Sequence, residues 1–278
     1  MATVDMKHPD PASVPVRDAA TVVLVRQGSG GLQVCMLQRN LKSDFVGGAY
    51  VFPGGAVDPE DSDPAYEKLS FGGQSSGEDL AFRVAVARES FEEAGILIAR
   101  SSDGTELEFS DPTVKTRFEQ HRRDVDSGSR QLHEICVEEE LLLDVGGLGY
   151  LSRWVTPFGA PRRYDTRFYV VEAPAGQVAL HDDREVIDTV WITPADALED
   201  SRSGRRTMIF PTIRTMAALS RFDEVAALTE YVAGLGPITA VEPVMTQRGD
   251  HLELELPGDP EGTGGKYDAI TGEPVTAS

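Results

Sequence analysis

Cysteine is scarce in this 278-residue chain, which carries only Cys35 and Cys136. Neither lies in a CxxC pair or beside histidines at zinc-ligand spacing, which excludes a disulfide scaffold and a structural zinc site. Positive charge is also short: 26 Lys and Arg face 46 Asp and Glu, a formal charge of −20. That imbalance opposes association with polynucleotide phosphates and with anionic membrane surfaces, so neither a nucleic-acid nor a membrane partner is expected. No stretch approaches 18 unbroken apolar residues, and no repeat of 20 to 50 residues is present. The N-terminal residues lack the basic flank and apolar core of a secretory leader, and the final TAS is not a peroxisomal address, so a cytoplasmic location is expected. What is there, 40% hydrophobic and 26% charged residues, is the composition of an ordinary globular protein.

Two β-rich apolar runs, residues 19–26 and 32–39, are joined by QGSGG and predict a hairpin. A short third strand at 49–52 runs into Pro53, Gly54 and Gly55, where pairing stops and backbone can approach a ligand closely. Residues 58–77, rich in Asp, Ser, Pro and Gly, predict an exposed loop. A helix is expected over 79–94, with Asp79 as N-cap and Gly95 just past its end. Leu80, Val84, Ala87, Phe91 and Ala94 share one face of it, while Phe82, Ala85 and Val86 lie on the opposite side, so both sides should be covered. The stretch 111–144 is mainly helical in pattern. Strands are predicted at 153–157, 166–173 and 185–193, and helices at 194–202, 212–219 and 222–233. A hairpin from 241–244 and 251–257 follows, with a Gly-rich acidic tail from Gly258 expected to be disordered.

The informative segment is RESFEEAGI, residues 88–96. Helical geometry stacks Glu89, Glu92 and Glu93 along one side of adjacent turns. Three carboxylates that close oppose one another's ionisation unless a counter-charge is supplied. A hard divalent cation such as Mg²⁺ supplies it, because it takes oxygen ligands shared between carboxylates, water and substrate phosphates.

This segment resembles the Nudix hydrolase family, whose box reads GX5EX7REUXEEXGU with U a bulky apolar residue. Arg88, Glu89, Glu92, Glu93, Gly95 and Ile96 match its second half in register, and Gly55 matches its first glycine. Asp61 stands where the box has its first glutamate. Between Asp61 and Arg88 about nineteen residues are inserted, an inexpensive addition because loop closure grows only logarithmically with length. The interrupted box, with FVGGAYVFPGG (45–55), SRWVTP (152–157) and RRYDTRFYV (162–170), is similar to the branch that includes the peroxisomal coenzyme A diphosphatase. The resemblance implies an α/β fold, an α/β/α sandwich with a mixed β-sheet and additional helices. In outline, residues 1–17 form a flexible arm. Residues 18–235 form the catalytic domain, with a loop insertion at about 62–78 and a helical one at about 111–144. Residues 236–278 form a hairpin and tail.

The same resemblance implies Mg²⁺-dependent hydrolysis of a nucleoside diphosphate linked to another group, with Mn²⁺ as an alternative ion. Glu89, Glu92, Glu93 and the carbonyl of Gly55 are the implied ligands, and Arg88 the residue that holds a glutamate in its ligating rotamer. The base is Glu89 or a carboxylate from a distant loop, for which Glu185, after Asp182 and Asp183, is the candidate. Arg39, Arg162, Arg163 and Arg167 are candidates for phosphate contact in an otherwise acidic protein. Asp44 stands where members that cleave coenzyme A carry an arginine, leaving the substrate open among CoA or acyl-CoA, ADP-ribose, NADH and a nucleotide sugar. A homodimer is compatible with the resemblance. The rival reading is a Nudix fold kept as a ligand-sensing or scaffolding module, since fold alone does not dictate activity.

Overall fold

The computed structural model describes residues 10–41, 47–73, 77–179, 186–248, 251–258 and 265–275. In chain order its elements are β1 (Val16–Gly28), β2 (Gly31–Arg39), β3 (Tyr50–Val51), β4 (Gly54–Ala56), α1 (Gly77–Ala94), β5 (Ala99–Ser101), α2 (Pro112–Asp126), α3 (Leu132–Glu138) and β6 (Leu141–Leu143). Then come β7 (Gly149–Val155), β8 (Arg163–Glu172), β9 (Val186–Ile192), α4 (Pro194–Arg202), α5 (Phe210–Leu219), α6 (Val225–Ala233), β10 (Ala240–Val241), β11 (Val244–Arg248), β12 (His251–Glu255) and β13 (Lys266–Asp268).

A mixed eight-stranded sheet carries the fold, ordered β10-β7-β8-β1-β2-β3, with β4 added to β1 and β9 to β2. β1 is its axis. One edge runs parallel to β8 from Val16↔Arg163 to Val25↔Glu172; the other pairs first with β4 and then, across the hairpin, with β2. Such a strand is buried on both faces, which explains the unbroken run Val22–Val25. Val22 and Leu24 point to one side with Cys35 and Leu37, meeting Val84, Ala85 and Phe91 of α1 and Phe118 of α2. Val23 and Val25 point to the other with Val34 and Met36, meeting Ile213 and Met216 of α5 and Leu228 of α6. The result is an α/β/α sandwich. The expectation that α1 is covered on both sides holds: Leu80, Phe82, Val84, Ala85, Val86 and Phe91 are all buried.

Several boundaries and environments differ from expectation. β1 begins at Val16, inside the stretch read as an arm, because its first residues find partners in β8. Residues 58–77 are not simply an exposed loop. They wind into 3-10 turns at Pro59–Ser62 and Pro64–Glu67 that bury Asp61 and Tyr66, and Tyr66 packs edge-on to His133 while its hydroxyl accepts the His133 N–H at 3.1 Å. The polar composition hid one large aromatic anchor. α1 starts at Gly77, with Asp79 paired to Arg83 one turn on rather than capping. The helical stretch 111–144 ends in a strand, β6, paired with β5. The last helix starts at Val225, after Glu224, because residues 221–224 turn back so that Asp223 O accepts the Leu32 N–H at 2.8 Å.

Nor is the tail disordered over residues 265–275. β13 pairs with β12, and Tyr267 is fully buried against Phe210, Leu254 and Leu256. Low hydrophobicity around one tyrosine gave no periodic signal. Cys35 and Cys136 are both buried and unpaired, and no described helix is long and apolar enough to cross a membrane. Tyr267→Ala is expected to lower unfolding free energy by about 3 kcal/mol, the penalty of emptying a buried aromatic site. Urea unfolding checks this, and an unchanged midpoint would mean that the tail does not pack.

Candidate active site

α1 ends where its sequence says it must. Gly95 takes φ 68°, which only glycine adopts freely, and its N–H closes on Phe91 O at 3.1 Å. The last two turns before that stop carry Arg88, Glu89, Glu92 and Glu93, and they lie over the Phe52–Ala56 bend that leads into and forms β4.

Arg88 is the centre of the cluster, only 8% exposed. It donates from Nε to Asp61 Oδ1 and from Nη2 to Asp61 Oδ2, both at 2.9 Å. Nη1 reaches Glu89 Oε1 at 2.9 Å and Glu92 Oε2 at 3.0 Å, and Nη2 also reaches Ala56 O at 2.9 Å. Asp58 Oδ2 stands 3.4 Å from Nη2. Glu93 turns the other way, and its Oε2 accepts the Gly54 N–H at 2.9 Å. Glu89 lies so close to Gly55 that a Cβ there would collide with its carboxylate. Glu89 and Glu93 therefore face the FPGG bend, and Glu92 is drawn to the same cluster by Arg88; the Glu89 and Glu92 side chains are 12% and 15% exposed.

The charge in this cluster does not balance. Burial pulls the Arg88 guanidinium down, but Asp61, Glu89 and Glu92 outweigh it and hold the residue firmly charged. Burial raises the Asp61 carboxyl, opposed by the Arg88 fork. Burial raises Glu89 as well, against the pull of Arg88. Glu92 is pushed up to about 8 by burial, with Arg88 opposing and the charges of Glu89 and Asp126 adding. One guanidinium cannot neutralise Asp61, Glu89 and Glu92 together, so ionising all three calls for a further cation. Glu89 Oε2 and Glu92 Oε1 make no hydrogen bond among the described residues. Hard oxygen donors, unfilled lone pairs and carboxyls that lack enough counter-charge to ionise together suit a divalent cation. Another group, His121, Glu138 and Glu139, is close enough to hold an ion, but Arg117 and Arg130 already bind its carboxylates at 2.6–2.9 Å.

The four arginines predicted for phosphate are not equivalent. Arg167 lies on the α1 side of the sheet in the row Gly55–Ala20–Arg167, roughly 10 Å from Gly55 by strand spacing. Its guanidinium pairs with Glu78 and Asp79 and stacks on Phe82 at 3.7 Å. Arg163 pairs with Glu242 at 2.5 Å and donates to Thr156 O at 3.1 Å. Arg162 is exposed beside it. Arg39 differs: it follows Cys35 and Leu37 on the α1 side of β2, its Nε is buried without a hydrogen-bond partner, and among the described residues no carboxylate pairs with it. Its strand neighbour is Val186, the residue after Glu185. Glu185 and Asp44 lie outside the described residues.

Sequence reasoning left two participants out of the site. Asp61 had a signal, since it occupies the first-glutamate position of the box. Arg122, on α2, had none; it donates from Nε to Glu92 O at 2.8 Å and from Nη2 to Glu93 O at 3.0 Å.

Comparison with known proteins gives the family. Residues 71–221 match the model of the NUDT19 Nudix domain, more than half of the chain, and the chain belongs to the Nudix hydrolase family. It is similar to the acyl-coenzyme A diphosphatase NUDT19 of Xenopus laevis, 27% identical over 268 residues, covering 82% of this chain and 70% of that one. Against the Homo sapiens protein of the same name it is 26% identical, covering 82% and 72%. Among solved structures, a Nudix hydrolase from Alicyclobacillus acidocaldarius superimposes with a TM-score of 0.69 at 28% identity, over 78% of this chain and 97% of that one. The resemblance to the coenzyme A diphosphatase branch thus stands, as does the α/β fold it implied.

Asp61→Ala removes two of the five Arg88 hydrogen bonds and leaves Glu89, Glu92 and the more distant Asp58 as its remaining carboxylates. The expected loss is about 2–3 kcal/mol of stability by denaturant unfolding; a loss within error would show that the pair does not anchor the loop.

Proposed function

We propose that this chain hydrolyses the diphosphate linkage of a nucleoside diphosphate joined to another moiety, releasing two phosphate-bearing products, with CoA or acyl-CoA as the foremost substrate. The observation that carries the reading is that Glu89 and Glu93 meet the FPGG bend while Arg88 gathers Glu89 and Glu92, with too little positive charge for all the carboxylates to ionise together. The two NUDT19 relatives, named as acyl-coenzyme A diphosphatases, support the substrate class, while Asp44 in place of the signature arginine keeps ADP-ribose, NADH and nucleotide sugars in the test. A sensing or scaffolding module would have no need of so unfavourable a carboxylate cluster. Two buried, unpaired thiols support the cytoplasmic setting proposed for it.

In this reading Glu89, Glu92, Glu93 and the Gly55 carbonyl hold Mg²⁺, or Mn²⁺ in its place, and when bound the ion offsets the charge that builds on the diphosphate oxygens. Arg88 holds Glu89 and Glu92 in rotamers that keep one oxygen of each directed away from it. Arg39, with no acid to neutralise it among the described residues, meets a phosphate oxygen, and Arg162, Arg163 and Arg167 extend the positive margin at lower affinity because Arg163 and Arg167 are bound to acids. A carboxylate takes the proton of the attacking water. Glu185, one residue from the strand partner of Arg39, is the proposed acceptor, with Glu89 as the alternative.

The test is a hydrolysis panel of CoA, acyl-CoA, ADP-ribose, NADH and a nucleotide sugar with and without Mg²⁺, run for the wild type and Glu93→Gln. Turnover should require the ion and fall at least about 100-fold in the variant. Equal turnover would discard the metal assignment, and no turnover on any compound by the wild type would favour the sensing module. Gly55→Ala gives an independent check, because its methyl group displaces the Glu89 carboxylate. The expected outcome is a loss of about 100-fold in kcat with little change in thermal midpoint; full activity would remove the Gly55–Glu89 contact from the mechanism.

A further inference from the structure

The glutamates occupy the end of a helix whose final carbonyls have lost their usual partners. In a continuing helix, Glu92 O and Glu93 O would accept from the N–H groups of residues 96 and 97. Here Ile96 N–H turns back to Ser90 O at 3.2 Å, and Leu97 N–H goes to Gln177 Oε1 at 2.8 Å. Both carbonyls are left at the negative end of the α1 dipole, one bond network away from three carboxylates. A single side chain satisfies both: the Arg122 fork donates to Glu92 O at 2.8 Å and to Glu93 O at 3.0 Å.

Arg122 comes from the helical insertion, and that insertion is tied down independently. Asp111 caps α2 by accepting the Thr113 N–H at 2.7 Å, and Phe118 and Val125, on the same stripe as Arg122, are buried in the core beside α1. On the far side, Arg117 binds Glu139 through two hydrogen bonds of 2.7 and 2.9 Å. The guanidinium therefore projects from a fixed platform, with a planar fork matched to two adjacent carbonyls.

We infer that Arg122 is a positioning residue for the glutamate cluster: by clamping the Glu92 and Glu93 carbonyls it fixes the last turn of α1 against the FPGG bend, and the helical insertion serves to deliver it. This rests on the metal-binding reading of the cluster. Arg122 touches neither substrate nor reacting atoms in this scheme; it sets where the carboxylates of Glu92 and Glu93 stand.

The experiment measures Mn²⁺ binding to the full chain by the loss of the free-ion paramagnetic resonance signal, without substrate. Arg122→Ala should weaken Mn²⁺ binding about 10- to 100-fold, the range found when groups that orient metal ligands are removed, and Arg122→Lys should recover part of the loss. Arg117→Ala, which loosens the same platform without touching the clamp, should bind Mn²⁺ within about twofold of the wild type. With substrate, Arg122→Ala should lower kcat and leave KM nearly unchanged. Wild-type affinity in folded Arg122→Ala overturns the inference, as does an equal loss in Arg117→Ala. Should the alanine variant fail to fold, Arg122→Gln with wild-type Mn²⁺ affinity overturns it equally. A wild type that takes up no Mn²⁺, or takes it up unchanged in Glu93→Gln, defeats the metal reading itself and is recognisable as such.

Discussion

A buried guanidinium must find an acceptor for every N–H, and Arg88 has five such groups to satisfy. It satisfies all five, two on Asp61 and one each on Glu89, Glu92 and Ala56 O. That requirement organises the surrounding chain. It draws the 3-10 turn bearing Asp61 under the helix, fixes the exit from the FPGG bend through the Ala56 carbonyl, and turns Glu89 and Glu92 inward. A lysine could not do the same, because its three donors radiate from a point and cannot engage a carboxylate side-on while holding two others. The insertion between Asp61 and α1 is tolerated for the same reason: it leaves from Asp61 and need only bring Arg88 back to it.

The part of the site that sequence reveals is the part whose geometry is local. Helical spacing alone put Glu89, Glu92 and Glu93 on one side, and Gly95 marked their boundary, because both properties depend on residues within two turns. The glycine at position 55 was legible for a related reason, since a bend that admits a carboxylate at close range tolerates no side chain. The fold class was legible only through the family resemblance that these local motifs carry, not through the periodicity of the strands and helices. What sequence did not disclose depends on distant partners. Asp61 and Arg88 are separated by an insertion without periodicity, and Arg122 sits on a helix whose pattern says only which face is buried. Tyr66 and Tyr267 illustrate the same limit, being lone aromatics in polar surroundings whose burial is decided by His133 and Phe210.

Charge is distributed with similar economy. Nearly every arginine on the described α1 side of the sheet is committed to an acid: Arg153 to Asp165, Arg167 to Glu78 and Asp79, Arg83 to Asp79. An acidic protein that handles an anion must withhold at least one cation from this internal neutralisation. Among the described residues Arg39, at the end of β2 and paired there with Val186, is bound to no acid, and its Nε is buried without a hydrogen-bond partner.

The sheet's central pairing also has a temporal side. β1 lies near the start of the chain, yet its longest partnership is the parallel one with β8, between residues nearly 150 positions apart. Contacts of that separation form late, since the intervening segment must first be closed into a loop. During synthesis the β1–β2 hairpin therefore emerges with both outer edges unsatisfied, templates for mispairing until residues 163–172 and then 186–192 leave the ribosome.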